Sequence, residues 1–286
     1  MDGNERTFAF TISSAHGADH FLKRLYPPLL PVLMLAFGFQ LWQLGLLLGA
    51  RTFGGAVFQA PMGVLSDRYD RRYILPTGLA VISLASLVFA ASPFVDGFSL
   101  SLPAVGSLGG PFLVMFLAML TIGVGDSTVH PSGYPTITAN VRAEAKGTVL
   151  GMWGSAAKFG DGFAPAVVGA LLLLMPWNDI LAVAGVVGLL YSLGLFVRLR
   201  RYRTVPAESA TATDDAAEAS GVSLDNRVYL YPMLAIFAYF SIQIMAANGL
   251  AVFLPQFITT AYGYSFTVLG VHFTPESTAS FCCRAP

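Results

Sequence analysis

The chain has 286 residues, of which 55% are hydrophobic and only 11% charged, and its mean hydropathy is +0.65. Soluble domains carry roughly 25% charged residues, so one buried core is excluded and several segments must have lipid as their solvent. A net charge of zero leaves no electrostatic footprint for nucleic acid, and the adjacent Cys282 and Cys283 make neither a disulfide framework nor a metal spacing.

A bilayer core of about 30 Å asks for about 20 mostly apolar residues per helix. On that measure the chain is an all-α membrane protein, with spans at about 9–35, 42–65, 73–93, 111–137, 147–175, 179–199 and 229–260. The clean apolar run of the first span, Leu25 to Phe37, is too short to cross alone. It spans only if the polar stretch from Thr11 to Arg24 enters the membrane too. Asp2, Glu5 and Arg6 precede this span in place of a basic region and a clean apolar stretch, so no cleavable signal peptide is expected.

Lys and Arg set the expected orientation. One side of the spans carries Arg6, Arg68, Arg71, Arg72, Arg142, Lys146, Arg198, Arg200, Arg201, Arg203 and Arg227, and the opposite connections, about 36–41, 94–110 and 176–178, carry none. The N-terminus is therefore expected in the cytoplasm of a multi-pass protein of the cell membrane. The expected organisation is a six-helix bundle over 1–199, a flexible cytoplasmic linker over 200–227, a seventh helix over 228–260 and an irregular tail over 261–286. The linker is rich in Ala, Ser, Thr and acids and poor in large apolar residues.

An internal repeat supports the division. Phe37-Gly38-Phe39-Gln40-Leu41-Trp42-Gln43-Leu44-Gly45 aligns with Tyr262-Gly263-Tyr264-Ser265-Phe266-Thr267-Val268-Leu269-Gly270, and both follow a run containing Leu-Pro. The offset encloses six spans and the linker, as expected if the seventh span opens a second copy of a six-helix unit. After Gly270 the sequence turns polar and cannot span, and the simplest expectation is a truncated or frame-shifted product.

Between the second and third spans stands Gly63-Val64-Leu65-Ser66-Asp67-Arg68-Tyr69-Asp70-Arg71-Arg72. This resembles the signature loop of the major facilitator superfamily, in Gly63, Asp67, Arg68, Arg71 and Arg72, and departs from it at Asp70, where the family usually has Gly. The resemblance implies alternating-access transport between two six-helix halves, with Asp67 contacting the second half on the cytoplasmic side.

Ionisable residues inside spans are costly, about 2.5–3.5 kcal/mol each at least, and turn inward or pair. The first span holds His16, Asp19, His20, Lys23 and Arg24, with His16, His20 and Lys23 on one helix face and Asp19 four residues before Lys23. The second holds Arg51, the fourth Asp126 and His130, and the fifth Lys158 and Asp161. Their near-neutral balance suggests mutual pairing around one cavity, with Asp126 facing Lys158 or Arg51. His16, Asp19, His20, Lys23, Arg51, Asp126, His130, Lys158 and Asp161 are thus the candidate solute and proton pathway. The fifth span also carries Gly147, Gly151, Gly154, Gly160, Gly162 and Gly169 around Ala164-Pro165, which is read mainly as close helix packing. The first span, Asp126 to Pro131 and this glycine-rich span together resemble the fosmidomycin-resistance-type branch of the superfamily, which implies proton-coupled efflux by an antiporter.

The expected partners are the lipid bilayer, a small-molecule solute and protons, with self-association through the exposed cavity face; no cofactor, metal or enzymatic activity is expected. Two other readings stand beside the transporter. One is a membrane-embedded metalloenzyme using His16, His20, Asp126 and His130, which metal analysis would discriminate. The other is an inert membrane fragment.

Overall fold

A computed structural model describes residues 1–103 and 106–206, and beyond them only 231–232, 234–236, 238–239, 242 and 261. The chain divides into two units, Met1–Pro206 and Ala207–Pro286. In the second, the described residues between 231 and 242 are helical, inside the expected seventh span. The rest of that span, the linker from 207 and the tail with its half of the repeat lie outside the described residues.

The first unit is the expected helical bundle, with the first and fourth spans each broken into two helices. The first span starts earlier than position 9, as α1, Gly3–Arg24. The reason is a capping box: the Asp2 carboxylate accepts from the Glu5 N–H at 2.8 Å, and the Glu5 carboxylate accepts from the Asp2 N–H at 3.1 Å. Pro27 and Pro28 then interrupt the helix with a 3-10 turn, Pro27–Leu29, because neither ring can donate to the ladder. The span resumes as α2, Leu30–Phe37, and stops at Gly38, whose φ of 67° is the left-handed cap favourable to glycine. The second span is α3, Leu41–Arg68, and the third α4, Arg71–Ala90.

The connection after α4 carries an antiparallel hairpin, β1 (Ser99–Leu102) with β2 (Gly106–Gly109). The fourth span is α5, Gly110–Asp126, followed by α6, Val129–Asn140. The break at Ser127 and Thr128 lies one turn before Pro131, whose ring excludes a regular ladder there. The fifth span is α7, Ala143–Leu171, and the sixth α8, Trp177–Leu199.

The main helix interfaces are α1 with α7, α4 with α8, α3 with α5 and α4 with α5. Several crossings leave no room for a side chain, and two of them bear on the site. A Cβ on Gly160 of α7 would lie 2.4 Å from the Gly17 carbonyl oxygen of α1, and one on Gly123 of α5 would overlap the Arg51 carbonyl of α3. The glycine-rich reading of α7 therefore holds at Gly160 but not along the helix: Gly147, Gly151, Gly154 and Gly162 face open space.

The two ends of the bundle differ in chemistry. At one end Arg142 grips Glu5 through Nε at 3.0 Å and a terminal nitrogen at 2.9 Å. At the same end the Arg71 N–H donates to the Thr204 carbonyl at 3.0 Å, and Asn140 bonds both backbone groups of Arg203. The other end is aromatic: Phe37 stacks on Phe39 with centroids 5.1 Å apart, and Trp177 meets both Phe37 and Phe89 edge-on.

By length and composition alone, Arg71–Ala90, Gly110–Asn140 and Trp177–Leu199 can each cross a membrane. α1, α3 and α7 carry charges along their length, and those charges build the site.

Candidate functional site

The polar face of α1 is central to the bundle. Asp19 is 0% exposed and His16 4% exposed, and the Lys23 side chain is nearly covered. Lys23 Nζ donates to Asp126 Oδ1 at 2.5 Å and lies 2.7 Å from Asp19 Oδ2. The contact to Asp126 is a directed hydrogen bond. That to Asp19 is an ion pair, and neither Asp19 oxygen has an aligned hydrogen-bond donor among the described residues. One ammonium is thus shared between two carboxylates, one from its own helix and one from the C-terminal end of α5. Arg51 approaches from α3 and donates to the Lys23 carbonyl at 3.4 Å, a long bond. With Arg51 included, the four charges sum to zero.

The expected pairing of Asp126 with Lys158 or Arg51 is corrected here: Asp126 pairs with Lys23. The cause is the break after α5, which ends the helix at Asp126 and turns its carboxylate to α1. Lys158 points away, its side chain 84% exposed, and among the described residues its one ion pair is with the far oxygen of Asp161 at 3.7 Å. It does not join the central group.

Asp161 forms a second cluster between α7 and α1. Its Oδ1 accepts from Arg24 Nε at 3.0 Å and contacts His20 Nδ1 at 2.9 Å. The Gly17–Gly160 crossing makes these short bonds reachable by holding the two backbones together.

Three histidines form a third cluster. One ring nitrogen from each of His16, His20 and His130 lies within 4.8 Å of those of the other two. His16 and His20 meet at right angles, centroids 4.6 Å apart, and His130 meets His16 at 5.1 Å. Trp153 of α7 stacks on His16 at 4.0 Å, and its carbonyl contacts His16 Nδ1 at 2.9 Å. Tyr134, one turn beyond His130 on α6, stacks on the His130 ring. The alternating-donor logic of imidazole gives His16 the Nδ1–H tautomer, since a carbonyl only accepts. Trp153 and Tyr134 were not picked out by sequence reasoning, and Glu5 and Arg142 were named only as terminal charge and one-sided cation, not as a pair. Trp153 was findable, since it lies one helical turn-pair before Asp161 on the stripe of α7 that also holds Ala157, Gly160 and Ala164.

The signature loop lies elsewhere. Asp67 is 76% exposed, with Arg71 at 3.9 Å. Asp70, at the position where the resemblance expects Gly, has φ −62° and caps α4 by accepting from the Arg72 N–H at 2.9 Å. No left-handed backbone is needed there, so an aspartate is compatible and adds a cap. Beside the loop is a groove of about 680 Å³ lined by Met62, Tyr69, Tyr73, Thr77 and Val124 among others; none of the buried charges of α1 lines it.

Comparison with known proteins agrees with this architecture. Residues 12–284 match the family model described as Major Facilitator Superfamily. The chain is similar to a probable L-galactonate transporter of Escherichia coli, 23% identical over 57% of this chain and 32% of that protein. It is also similar to the glycerol-3-phosphate transporter of Bacillus subtilis, 24% identical over 57% of this chain and 34% of that protein. The matched stretch thus spans about a third of the length of these relatives. Among solved structures, a bacterial homologue of the human lysosomal transporter Spinster, inward-facing and unoccupied, superposes with a TM-score of 0.68 at 14% identity, over 95% of this chain and 59% of that one.

Proposed function

We propose that this chain, which belongs to the Major Facilitator Superfamily, supplies the N-terminal part of a secondary transporter that couples the movement of a small organic anion to that of protons. The observation that carries the reading is Lys23 shared by Asp19 and Asp126 in the interior of the bundle. A proton taken by either carboxylate releases Lys23 from one partner and leaves an uncompensated positive charge beside Arg51. An anionic solute restores neutrality, so proton and anion are linked through one set of charges. The relatives named for L-galactonate and glycerol-3-phosphate support the anionic class.

Alternating access needs two bundles around a midplane site. In this reading the bundle over 1–206 is therefore inactive in transport by itself. The N-terminus is cytoplasmic in this reading, and in a Cys282→Ser, Cys283→Ser background Ser220→Cys stays unlabelled by an impermeant thiol reagent in intact cells.

The test of the site is ligand protection. Purified chain is heated with a panel of sugar acids, sugar phosphates and cationic drugs. Anionic members raise the unfolding temperature of the parent and not of Lys23→Met. Protection by cationic drugs alone, or by none of the panel, overturns the anion reading. Saturable uptake into liposomes by the chain alone, abolished by Asp126→Asn, would show that it is a working unit.

A further inference from the structure

We infer that His16, His20 and His130 bind a divalent transition-metal ion of the zinc class. The chain has four histidines, and three of them, from two separated helices, converge on one point. Chance crowding of rings in a core does not explain how two of them are oriented. Metal-ligating histidines commonly donate the second ring N–H to a carbonyl or carboxylate, which fixes the tautomer and turns the other nitrogen's lone pair to the ion. His16 does this through the Trp153 carbonyl and His20 through the Asp161 carboxylate. His16 Nε2 is then a lone pair in a buried position, and it has no hydrogen-bond partner among the described residues. His130 Nδ1 is buried and without a partner as well. A buried polar atom left unpaired is costly, and a ligand that takes two such atoms at once removes both costs.

The geometry suits a tetrahedral ion with one open position. Zinc–nitrogen bonds of about 2.0–2.1 Å place three imidazole nitrogens about 3.3–3.4 Å apart, so ring nitrogens within 4.8 Å need only small side-chain rotations. The stacked Trp153 holds His16 while His20 and His130, both half-buried, adjust. Imidazole sets of this kind take zinc, copper, nickel or cobalt and not magnesium or calcium, which require oxygen. The two cations nearby are already engaged, Lys23 by Asp19 and Asp126, and Arg24 by the Asp161 carboxylate behind His20. The inference does not rest on the transport reading: binding is an equilibrium property of the purified chain.

The experiment uses full-length chain purified without a polyhistidine tag, in a His272→Ala, Cys282→Ser, Cys283→Ser background that removes competing ligands from the tail. Cobalt(II) is titrated and followed by visible absorption, with zinc binding measured by calorimetry and elemental analysis. The expected result is one ion per chain, intense bands of a four-coordinate cobalt site, and displacement of cobalt by zinc. His16→Ala and His130→Ala abolish the bands, and Asp161→Asn weakens affinity about 10–100-fold, as loss of an outer-shell partner does. The parent spectrum decides the matter even if a variant fails to fold. Six-coordinate bands, absence of stoichiometric binding at micromolar metal, or full binding retained by a folded His16→Asn overturns the inference.

Discussion

α1 and α8 are of nearly equal length, 22 and 23 residues, and they reverse the rule of soluble proteins. α1 carries Glu5, His16, Asp19, His20, Lys23 and Arg24, yet eleven of its residues are buried. α8 is apolar through its middle, yet only eight of its residues are buried, and Val183, Val187, Leu190, Leu193 and Val197 stand out along one face. In water the charged helix would face out and the apolar one in. Here the outer solvent is hydrocarbon, so polar groups are driven into the bundle and must satisfy each other there.

The contrast breaks most severely at the centre. Lys23→Met strands two carboxylates, and breaking a buried pair costs about 3–5 kcal/mol. Asp126→Ala alone destabilises as well, whereas Lys23→Met combined with Asp126→Ala loses less than the sum. A thermal double-mutant cycle in detergent measures this, and additive losses would separate the two side chains energetically. Next comes the outer face of α8. Leu190→Lys costs about 3 kcal/mol of membrane insertion, read as the glycosylated fraction in a translocon assay. On a water-facing surface the same change would stay within about 0.5 kcal/mol, so a negligible effect would contradict lipid contact.

Two glycines of α7 sharpen the comparison with opposite signs. Gly160→Val drives a side chain into the Gly17 carbonyl and destabilises by about 1–3 kcal/mol. Gly154→Ala enters open space and stabilises by about 0.5–1 kcal/mol through helix propensity. Equal unfolding temperatures for the two variants would remove the α1–α7 crossing from the account. The smallest effect is at the basic end. Hydrogen bonds from Arg142 hold the Glu5 carboxyl down to about 2, from a usual 4.5. A carboxyl with a lowered native value stabilises fully above about pH 4.5 and loses that contribution as pH falls toward 2. Proteolysis of the first turns of α1 therefore accelerates between pH 4.5 and 2 in the parent, and Glu5→Gln shows a flatter profile over the same interval.

Much of this arrangement was legible from spacing alone. Six spans in the first unit, the i to i+4 pairing of Asp19 with Lys23, and the shared face of His16, His20 and Lys23 follow from local periodicity and lipid solvation. The start of α1 was legible too, in Asp2-x-x-Glu5, but these residues served only to exclude a cleavable signal peptide and were not read as a cap. The partner of Asp126 was not legible. It depends on where α5 stops, on the register of α5 against α1 and on the Gly17–Gly160 approach, which are set by tertiary packing. Counting four cations and three carboxylates gave near-neutrality without geometry, and so admitted Lys158, whose side chain is exposed.

The Ser66 hydroxyl donates to the Pro131 carbonyl at 2.8 Å, and Arg71 Nε reaches the same hydroxyl at 3.3 Å. Pro131 follows His130 directly, so three atoms join the signature loop to the histidine cluster like links on a short tether. While the tether holds, α3 cannot slide along α6 by a helical turn without pulling the backbone beside His130 with it. A shift at the membrane surface is thereby felt, mechanically and without any change of charge, at the imidazoles.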